Sequence, residues 1–482
     1  MTEQIPFYSS LEKRYIRYGR WILGNRHFAE GRDGLKPVQR RALWTMHEMG
    51  AVDKPHMTLA ASICGTTMGS YHPHESGSIF TALVNMSQAK MATPPVIGIG
   101  NWGSHDSRAA APRYVKAYLS PYSTTMFDRD ELECIPMDTA FTGKDKEPRF
   151  LPVRIPHLLL SGCDSLALGY KGDIPPCPPD WVAESVRLTI KNQPLKLPEA
   201  LNYRWGGRLR KLDDSWLKEG KGSALFTPRI TTETDGVILT SLAPHLSVET
   251  VERLCSKHPE YAGLVEESPT GDGIIRIVIK VKRGTSVTEF ARKVQKSCRT
   301  QMHYSFLQIR QFADDTGEID FQPIIQGPED YLKSWVRWRR SVVVASANLR
   351  ATKARSEFAR IGILIRAIDL RKELLKIMDQ AKSTDDIRQR TMKLLKCGVE
   401  EANTVMGIPW PKLARMEKPP FLEKQAKLKA FAAKEDAVAE KPIPRLLENL
   451  NSAIVGIDAS VKQAKSMLDD STRIIKRRRR AT

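Results

Sequence analysis

Hydrophobic positions divide the chain into stretches of different periodicity. Residues 1–30 have apolar positions at three- and four-residue steps, which predicts an N-terminal amphipathic helical arm. Those positions are Leu11, Tyr15, Tyr18 and Ile22. Residues 31–150 show short helical patterns broken by Gly and Pro, and strand-like runs alternate with helical ones over residues 151–328. The second stretch therefore predicts a compact helical domain, and the third an α+β domain.

A long helical pattern follows residue 328. From Glu329 to Gln380 the chain contains no Pro and one Gly, Gly362, and a continuous helix of that length spans roughly 75 Å. A second long pattern covers residues 421–475 and is interrupted near Pro442 and Pro444. With a small globular patch at about residues 384–420 between them, the two patterns predict an antiparallel coiled coil that carries a knob. A plain helical bundle is the alternative.

Composition narrows the class of protein. The chain has 482 residues, of which 41% are hydrophobic and 27% charged, so it is expected to fold into several domains. These values exclude wholesale disorder, collagen and a small disulfide scaffold. The seven cysteines form no C-x-x-C pair, which favours reduced thiols in a soluble intracellular protein. A net charge of +20 makes a polyanion the leading candidate partner.

Chemistry-bearing residues concentrate in three segments. In residues 32–49 (RDGLKPVQRRALWTMHEM), basic residues surround a Gly–Pro turn that opens a helix, which suits phosphate, although a solvated basic helix start gives the same pattern. In residues 71–88 (YHPHESGSIFTALVNMSQ), a His-Pro-His turn precedes a helix, as in a helix-turn-helix unit. Zinc is disfavoured there because no Cys or carboxylate set accompanies the histidines. In residues 98–120, a Gly-rich loop precedes Arg113 and Tyr114.

In this order and spacing, RDGLKPVQRR, YHPH and GNWGS…AAAPRY resemble the cleavage (A-type) subunit of type IIA DNA topoisomerases. That family includes gyrase A, topoisomerase IV A and the medium subunit of T-even phage topoisomerase. Residues 151–176, 271–284 and WVRWRRSVVVASANLRATKAR extend the resemblance to the family's later segments. It implies a mainly α multidomain fold with an α+β part. The domains would be a winged-helix DNA-gate domain (31–150), an α+β tower domain (151–328), a long antiparallel coiled coil with a small C-gate dimerisation domain (329–475) and a basic tail (476–482).

The resemblance also implies roles for individual residues. Tyr114 falls on the nucleophile that becomes esterified to a DNA 5′-phosphate. A phenol is both a fair nucleophile and a fair leaving group, so the ester is reversible. Arg113 and Arg32 fall on arginines expected to offset charge on the scissile phosphate. His74 would contact phosphate or move a proton. The expected DNA-binding residues are Lys36, Arg40 and Arg41 as backbone contacts, His72 as support for its turn, and Leu166 as a wedge between base pairs.

Partners and cofactors follow from the same resemblance. The sequence shows neither a Gly-rich ATP-binding loop nor a carboxylate set for Mg²⁺, and in the family both lie on the B-type subunit. We therefore expect a homodimer, closed through the DNA gate and the C-gate, that binds double-stranded DNA. With a B-type partner that holds ATP and most of the Mg²⁺ site, it would form an A₂B₂ heterotetramer. No membrane is expected, and the expected compartment is the cytoplasm of a bacterial cell or phage-infected host.

The expected activity is ATP-dependent relaxation or decatenation by a type II DNA topoisomerase, an isomerase. In the family, negative supercoiling depends on an additional β-rich domain that follows the coiled coil and wraps DNA. Only seven residues follow the helical pattern that runs to about Ile475, too few for such a domain, so negative supercoiling is not expected. That basic tail fits a solvated end as well as a DNA contact. A non-catalytic architectural DNA-binding dimer is the alternative function, and Arg113 with Tyr114, Arg32 and His74 favours the enzyme.

The resemblance leaves two alignments open at the family's quinolone-binding positions. Either Gly77 and Thr81 fall on these positions, or the pair Glu75–Ser76 does.

Overall fold

The computed structural model of the chain describes residues 7–88, 90–105, 107–244, 246–268, 275–313 and 319–479. The fold mixes helices with several small sheets, which confirms the predicted class at the level of mainly α with an α+β part. It forms two compact units, Met1–Arg339 with Leu446–Thr482 and Arg340–Arg445. No helix within the described ranges is long and apolar enough to cross a membrane. The winged-helix, tower and C-gate assignments stay predictions.

The N-terminal part of the first unit is helical with a small sheet. Its helices are α1 (Phe7–Ile22), α2 (Pro37–Glu48), α3 (Ala60–Ser70), α4 (Ser76–Asn85), α5 (Pro121–Thr124), α6 (Arg129–Glu133) and α7 (His157–Ser161). Its strands are β1 (Thr58–Leu59), β2 (Val96–Ile99), β3 (Lys116–Leu119), β4 (Met137–Thr139) and β5 (Lys146–Pro148). The antiparallel order β1-β3-β2 builds the sheet, and β4 and β5 form a separate hairpin.

The N-terminal α-helix ends earlier in the chain than predicted. It ends at Ile22 and continues as a π-helical turn, Leu23–His27. Of the four predicted apolar positions, Ile22 is partly buried, whereas Leu11, Tyr15 and Tyr18 are 52%, 68% and 59% exposed. The π-helical turn packs closely on Phe321, because a Cβ at Gly24 would lie 2.0 Å from Cδ1 of that ring. The predicted periodicity is real, but the chain itself does not bury this stripe.

Three antiparallel sheets occupy residues 163–325. The first sheet contains β6 (Cys163–Ala167), β7 (Tyr170–Ile174), β8 (Arg208–Leu212), β9 (Lys221–Thr227) and β14 (Thr300–Ser305). Its strand order is β6-β7-β14-β9-β8. The second sheet contains β10 (Ile230–Glu233), β11 (Gly236–Leu239), β12 (Tyr261–Glu266) and β13 (Ile277–Val281). Its strand order is β10-β11-β13-β12. The third pairs β15 (Leu307–Ala313) with β16 (Ile319–Ile325). Helices α8 (Pro179–Ile190), α9 (Ser215–Glu219), α10 (Val248–Cys255) and α11 (Val287–Ser297) complete this α+β part. Residues 271–274 of the predicted tower strand lie outside the described residues.

The remaining helices match the predicted long pattern. They are α12 (Pro328–Asp369), α13 (Arg371–Gln380), α14 (Thr384–Leu395), α15 (Val399–Met406), α16 (Trp410–Arg415), α17 (Pro419–Glu440) and α18 (Ile443–Arg479). In the second unit, α12 and α17 run antiparallel. Arg350 Nε donates to Glu435 at 2.9 Å, and Lys424 Nζ lies 2.9 Å from Glu357. The short helices between them share an apolar core that includes Leu374, Leu395, Val405 and Leu413.

The second long pattern breaks where its prolines predicted. Helix α17 ends at Glu440 and α18 begins at Ile443. In the first unit, α18 packs on the start of α5, where the Tyr122 amide donates to Ser460 Oγ at 3.0 Å. A Cβ at Gly456 would lie only 3.1 Å from the Pro121 carbonyl oxygen, so the helix approaches closely there. Helix α18 extends to Arg479, beyond the predicted end near Ile475, and residues 480–482 of the predicted tail lie outside the described residues.

Candidate active site and nucleic-acid interface

Tyr114 closes a single 3₁₀ turn, Pro112–Tyr114, immediately before strand β3. Pro112 at the first position presets the backbone for this turn. The Tyr114 amide donates to the Ala111 carbonyl at 2.9 Å, and the next strand, β3, pairs with β1 and β2. The side chain is 67% exposed, and the Arg113 guanidinium carbon lies 4.8 Å from its ring centroid. A hydrogen-bonded turn therefore presents an accessible phenol with a cation beside it.

The His-Pro-His turn joins α3 to α4. His72 is buried, and its ring stacks on His74 with centroids 4.3 Å apart and planes 23° apart. Burial, followed by the charge of Arg41, the neighbouring His74 and the charge of Arg26, lowers the pKa of His72 to about 4. Burial and then the charges of Arg26 and Arg41 lower the pKa of His74 as well. Both imidazoles are therefore neutral at pH 7, and a neutral imidazole has one nitrogen able to accept a proton.

Arg41 connects the histidine turn to the hairpin of β4 and β5. Its Nε and Nη2 donate to the two carboxylate oxygens of Glu147 at 2.6 and 2.8 Å. Its Nη1 lies 3.1 Å from Nδ1 of His72. The Arg41 side chain keeps 20% of its surface exposed. The predicted residues Arg41, His72 and His74 are thus brought together, with one face open to solvent.

Arg26 belongs to the same cluster, and sequence reasoning missed it. It lies on the π-helical turn Leu23–His27, and its charge acts on both His72 and His74. A π-helical turn is rare and is often found at functional sites. No periodicity or motif in the sequence marks this turn, so the only available signal was a basic residue directly after an apolar helix.

The RDG turn is an internally paired structure. Asp33 is fully buried and accepts from the Leu35 and Leu151 amides at 3.1 and 2.9 Å. Gly34 has φ +67°, and a Cβ there would lie 2.2 Å from the Leu158 nitrogen, so only glycine fits. Arg32 Nε donates to Glu30 at 2.7 Å, and its guanidinium carbon lies 3.9 Å from the Phe150 ring centroid. Arg32 is therefore held in place by Glu30 and Phe150.

Arg40 is held in a buried ion pair. It was expected to contact the DNA backbone, but its side chain is only 8% exposed. Its Nε and Nη2 donate to Asp33 at 2.5 and 3.0 Å, and Nη2 also donates to the Leu35 carbonyl at 3.0 Å. These bonds engage Nε and Nη2 in a buried ion pair, and the contact of Arg40 with the DNA backbone stays a prediction. The geometry gives Arg40 a structural role in the RDG turn.

Lys36 contacts β6, the first strand of the α+β part, which also carries Leu166. Lys36 Nζ donates to the Asp164 carbonyl at 2.7 Å. Leu166 follows on β6 and is 70% exposed, and Leu168 in the adjoining turn is 49% exposed at φ +48°. An exposed leucine on a hairpin has the accessibility that a wedge between base pairs requires.

The predicted residues therefore fall into separate groups. In the described part of the chain, no hydrogen bond or ion pair joins Arg113 or Tyr114 to the cluster of Arg26, Arg41, His72 and His74. Within the same ranges, no group of three or more His, Cys, Asp or Glu side chains is placed to hold a metal ion. Mg²⁺ requires oxygen ligands, and the contacts of Tyr114 supply a guanidinium rather than carboxylates. The residues present around Tyr114 do not by themselves fit this metal.

Comparison with known proteins places these motifs in a family. The family of A subunits of DNA gyrase/topoisomerase IV matches residues 26–446. The A subunit of DNA topoisomerase 4 from Haemophilus influenzae is 27% identical over 86% of this chain and 57% of its own length. The DNA gyrase A subunit of Granulibacter bethesdensis is 29% identical, over 80% of this chain and 42% of its own length. The DNA gyrase A subunit of Mycobacterium tuberculosis is 27% identical, over 91% and 54%. The chain spans about half the length of these relatives. With the family match covering most of its residues, the chain belongs to the family of DNA gyrase/topoisomerase IV A subunits.

Proposed function

We propose that this chain is the DNA breakage-reunion subunit of an ATP-hydrolysing type II DNA topoisomerase, with Tyr114 as its nucleophile. The observation that carries the proposal is the exposed phenol of Tyr114 beside Arg113 on the 3₁₀ turn before β3. Membership of the family of gyrase/topoisomerase IV A subunits supports it. The reaction changes DNA topology by relaxation or decatenation.

In the proposed reaction, the Tyr114 hydroxyl gives up its proton and its oxygen bonds to a backbone phosphorus. The bond from phosphorus to the 3′ oxygen breaks, and that oxygen takes up a proton and leaves as a 3′-hydroxyl. The DNA 5′ end stays on Tyr114 until the 3′-hydroxyl attacks and reverses the step. Because the bond energy is retained in the phosphotyrosyl ester, resealing consumes no ATP.

The neighbouring cations have distinct tasks. Arg113 stabilises the phenolate and the charge that gathers on the phosphate oxygens. Arg26 and Arg41 help to lower the pKa of His74, so the neutral imidazole has one N–H that can donate to a DNA phosphate and one nitrogen that can accept a proton. Arg32, held by Glu30 and Phe150, supports the turn that carries Lys36 towards the backbone, and Leu166 acts as the wedge.

We further propose that two copies of the chain form the DNA gate and a C-gate, and that a B-type partner completes an A₂B₂ assembly. The partner holds ATP and supplies the carboxylates for Mg²⁺, whose charge offsets that of the scissile phosphate. Residues 31–150 would act as the winged-helix domain, since α3 and α4 flank the histidine turn and β1–β3 form a small sheet. The antiparallel helices α12 and α17 and their knob would form the C-gate. The complete complex would act in the cytoplasm.

An architectural DNA-binding dimer is the competing function, and a cleavage assay separates the two. The chain is mixed with a B-type partner, DNA and Mg²⁺, denatured, and the DNA 5′ ends are tested for attached protein. We expect attachment by the natural chain, none by Tyr114→Phe, and equal DNA binding by both, since binding depends on many phosphate contacts. Tyr15→Phe, which alters a tyrosine of equal exposure, is the control that should still cleave. Attachment by Tyr114→Phe, or none by the natural chain, would reject the proposal.

A further inference from the structure

Glu147 lies on β5, far in sequence from the motifs, and both of its carboxylate oxygens accept hydrogen bonds from Arg41. The pair is bidentate, and the Glu147 side chain is only 12% exposed. Bidentate carboxylate–guanidinium pairs fix orientation as well as supplying energy. The long Arg41 side chain, which would otherwise sample many rotamers, is thus held in one conformation.

The fixed orientation has a chemical consequence for His72. With Nε and Nη2 occupied by Glu147, Arg41 directs Nη1 at Nδ1 of His72 across 3.1 Å. Arginine carries only donors, so Nδ1 of His72 must be the acceptor and cannot carry a proton. His72 is thereby neutral with its proton on Nε2. Burial and the surrounding groups, namely Arg41 on α2, Arg26 on the π-helical turn and His74 in the same turn, act in the same direction.

The orientation is passed on to His74 by stacking. The two rings lie 4.3 Å apart, so a tilt of His72 would move the surface on which His74 rests. Glu147, Arg41, His72 and His74 therefore form one chain of contacts from the hairpin to the partly exposed histidine.

We propose that Glu147 is a positioning residue for DNA cleavage: it orients Arg41, which fixes the tautomer of His72 and the placement of His74. The inference rests on the proposed function only for its effect on cleavage; the effect on the histidines is independent of it. A purely structural contact between the hairpin and the helix would stabilise the fold, and its loss would leave the tautomer of His72 and the rate of DNA cleavage unchanged.

The same hairpin provides a matched control. Asp138 on β4 is the direct cross-strand neighbour of Glu147 and pairs with Arg149, whose Nη2 lies 2.6 Å away. This pair is of the same chemical kind, and its hydrogen bonds join Asp138 to Arg149 within the hairpin rather than to the histidine turn. Glu147→Gln and Asp138→Asn each remove one negative charge at nearly constant size from the same two strands.

The test combines histidine NMR with single-turnover cleavage on the full chain. In Glu147→Gln we expect the Nδ1/Nε2 tautomer signal of His72 to become mixed, because Arg41 no longer holds Nη1 at Nδ1 of His72. With the B-type partner, formation of the covalent DNA complex should slow by roughly 10–100-fold, since small misplacements have effects of that size. Asp138→Asn should match the natural chain in both readouts.

The outcomes are separable. If Glu147→Gln retains the His72 signals and the cleavage rate of Asp138→Asn, the positioning role is wrong. If the natural chain forms no covalent complex, the proposed function fails, while the NMR signals still decide whether Glu147 controls the histidines. If Glu147→Gln is too unstable to study, Glu147→Asp is used: its shorter side chain cannot keep both bonds to Arg41, so the same changes in His72 are expected. Unchanged signals in a folded Glu147→Asp would likewise overturn the proposal.

Discussion

The RDG turn (residues 32–34) and the Pro112–Tyr114 turn both carry recognisable motifs, but they are built in opposite ways. In the RDG turn, Asp33 is completely buried and accepts hydrogen bonds from Arg40 and from two backbone amides. In the other turn, Tyr114 leaves 67% of its surface to solvent and has the Arg113 guanidinium beside its ring. A motif therefore marks either a residue that shapes the backbone or one that reacts, and burial with pairing tells the two apart.

The largest effect that separates these regions is expected from Asp33→Ala. The substitution leaves the Arg40 guanidinium buried without its counter-ion and removes the acceptor for two amides, so the free energy of unfolding should fall by about 3–5 kcal/mol. Denaturant unfolding measures it. Asp53→Ala, which removes a half-exposed carboxylate paired with His56, is the control and should leave stability nearly unchanged. Equal losses would show that the RDG turn is not a structural centre of the fold.

Arg113→Ala is expected to have the converse effect, on rate rather than stability. Removing the cation next to the phenol should slow formation of the covalent complex by about 10²–10³-fold, the usual effect of losing one group that stabilises transition-state charge. Stability should change by no more than about 0.5 kcal/mol, as for other exposed positions. Arg108→Ala, an exposed arginine of the same loop, removes the same net charge and should cleave normally. A rate for Arg113→Ala equal to that control would contradict the role of Arg113.

A smaller effect should appear on acidification. Burial is the main cause that lowers the pKa of His72 and of His157 to about 4, so between pH 6.5 and 4 the unfolded chain binds protons that the folded chain does not. Stability supplied by the neutral histidines is therefore complete above pH 6.5 and is lost as the pH falls towards 4. His72→Gln should reduce this loss by on the order of 2–3 kcal/mol. Chemical unfolding across this pH range is the measurement, and an unchanged slope would refute the burial of a neutral His72.

Sequence pattern predicted the parts of the molecule that depend on local rules. The absence of Pro from residues 329–380 predicted most of the long helical stretch, and Pro442 marked the break between α17 and α18. The motifs predicted Tyr114 and both histidines as candidate site residues. Local rules did not distinguish Arg40 from Arg41, because adjacent helix positions point about 100° apart and only packing decides which one faces inward.

Other parts of the site depend on contacts between distant segments. Glu147 lies 106 positions from Arg41, and nothing in the periodicity of β5 reveals that its carboxylate meets that arginine. Arg26 joins the histidines because Gly24 lets the π-helical turn pack against Phe321, which is almost 300 residues later in the chain. Such tertiary pairings are set by the three-dimensional packing, so sequence reasoning on one chain could not locate them.

The central claim is that the exposed phenol of Tyr114 becomes covalently attached to DNA. Its most direct test is to trap the complex of the chain, a B-type partner, Mg²⁺ and DNA with denaturant, digest both polymers, and identify the nucleotide-bearing peptide by mass spectrometry. We predict a phosphotyrosyl nucleotide on Tyr114, joined through the 5′-phosphate. A nucleotide on any other residue, or a trapped adduct joined through a 3′-phosphate, would contradict this claim.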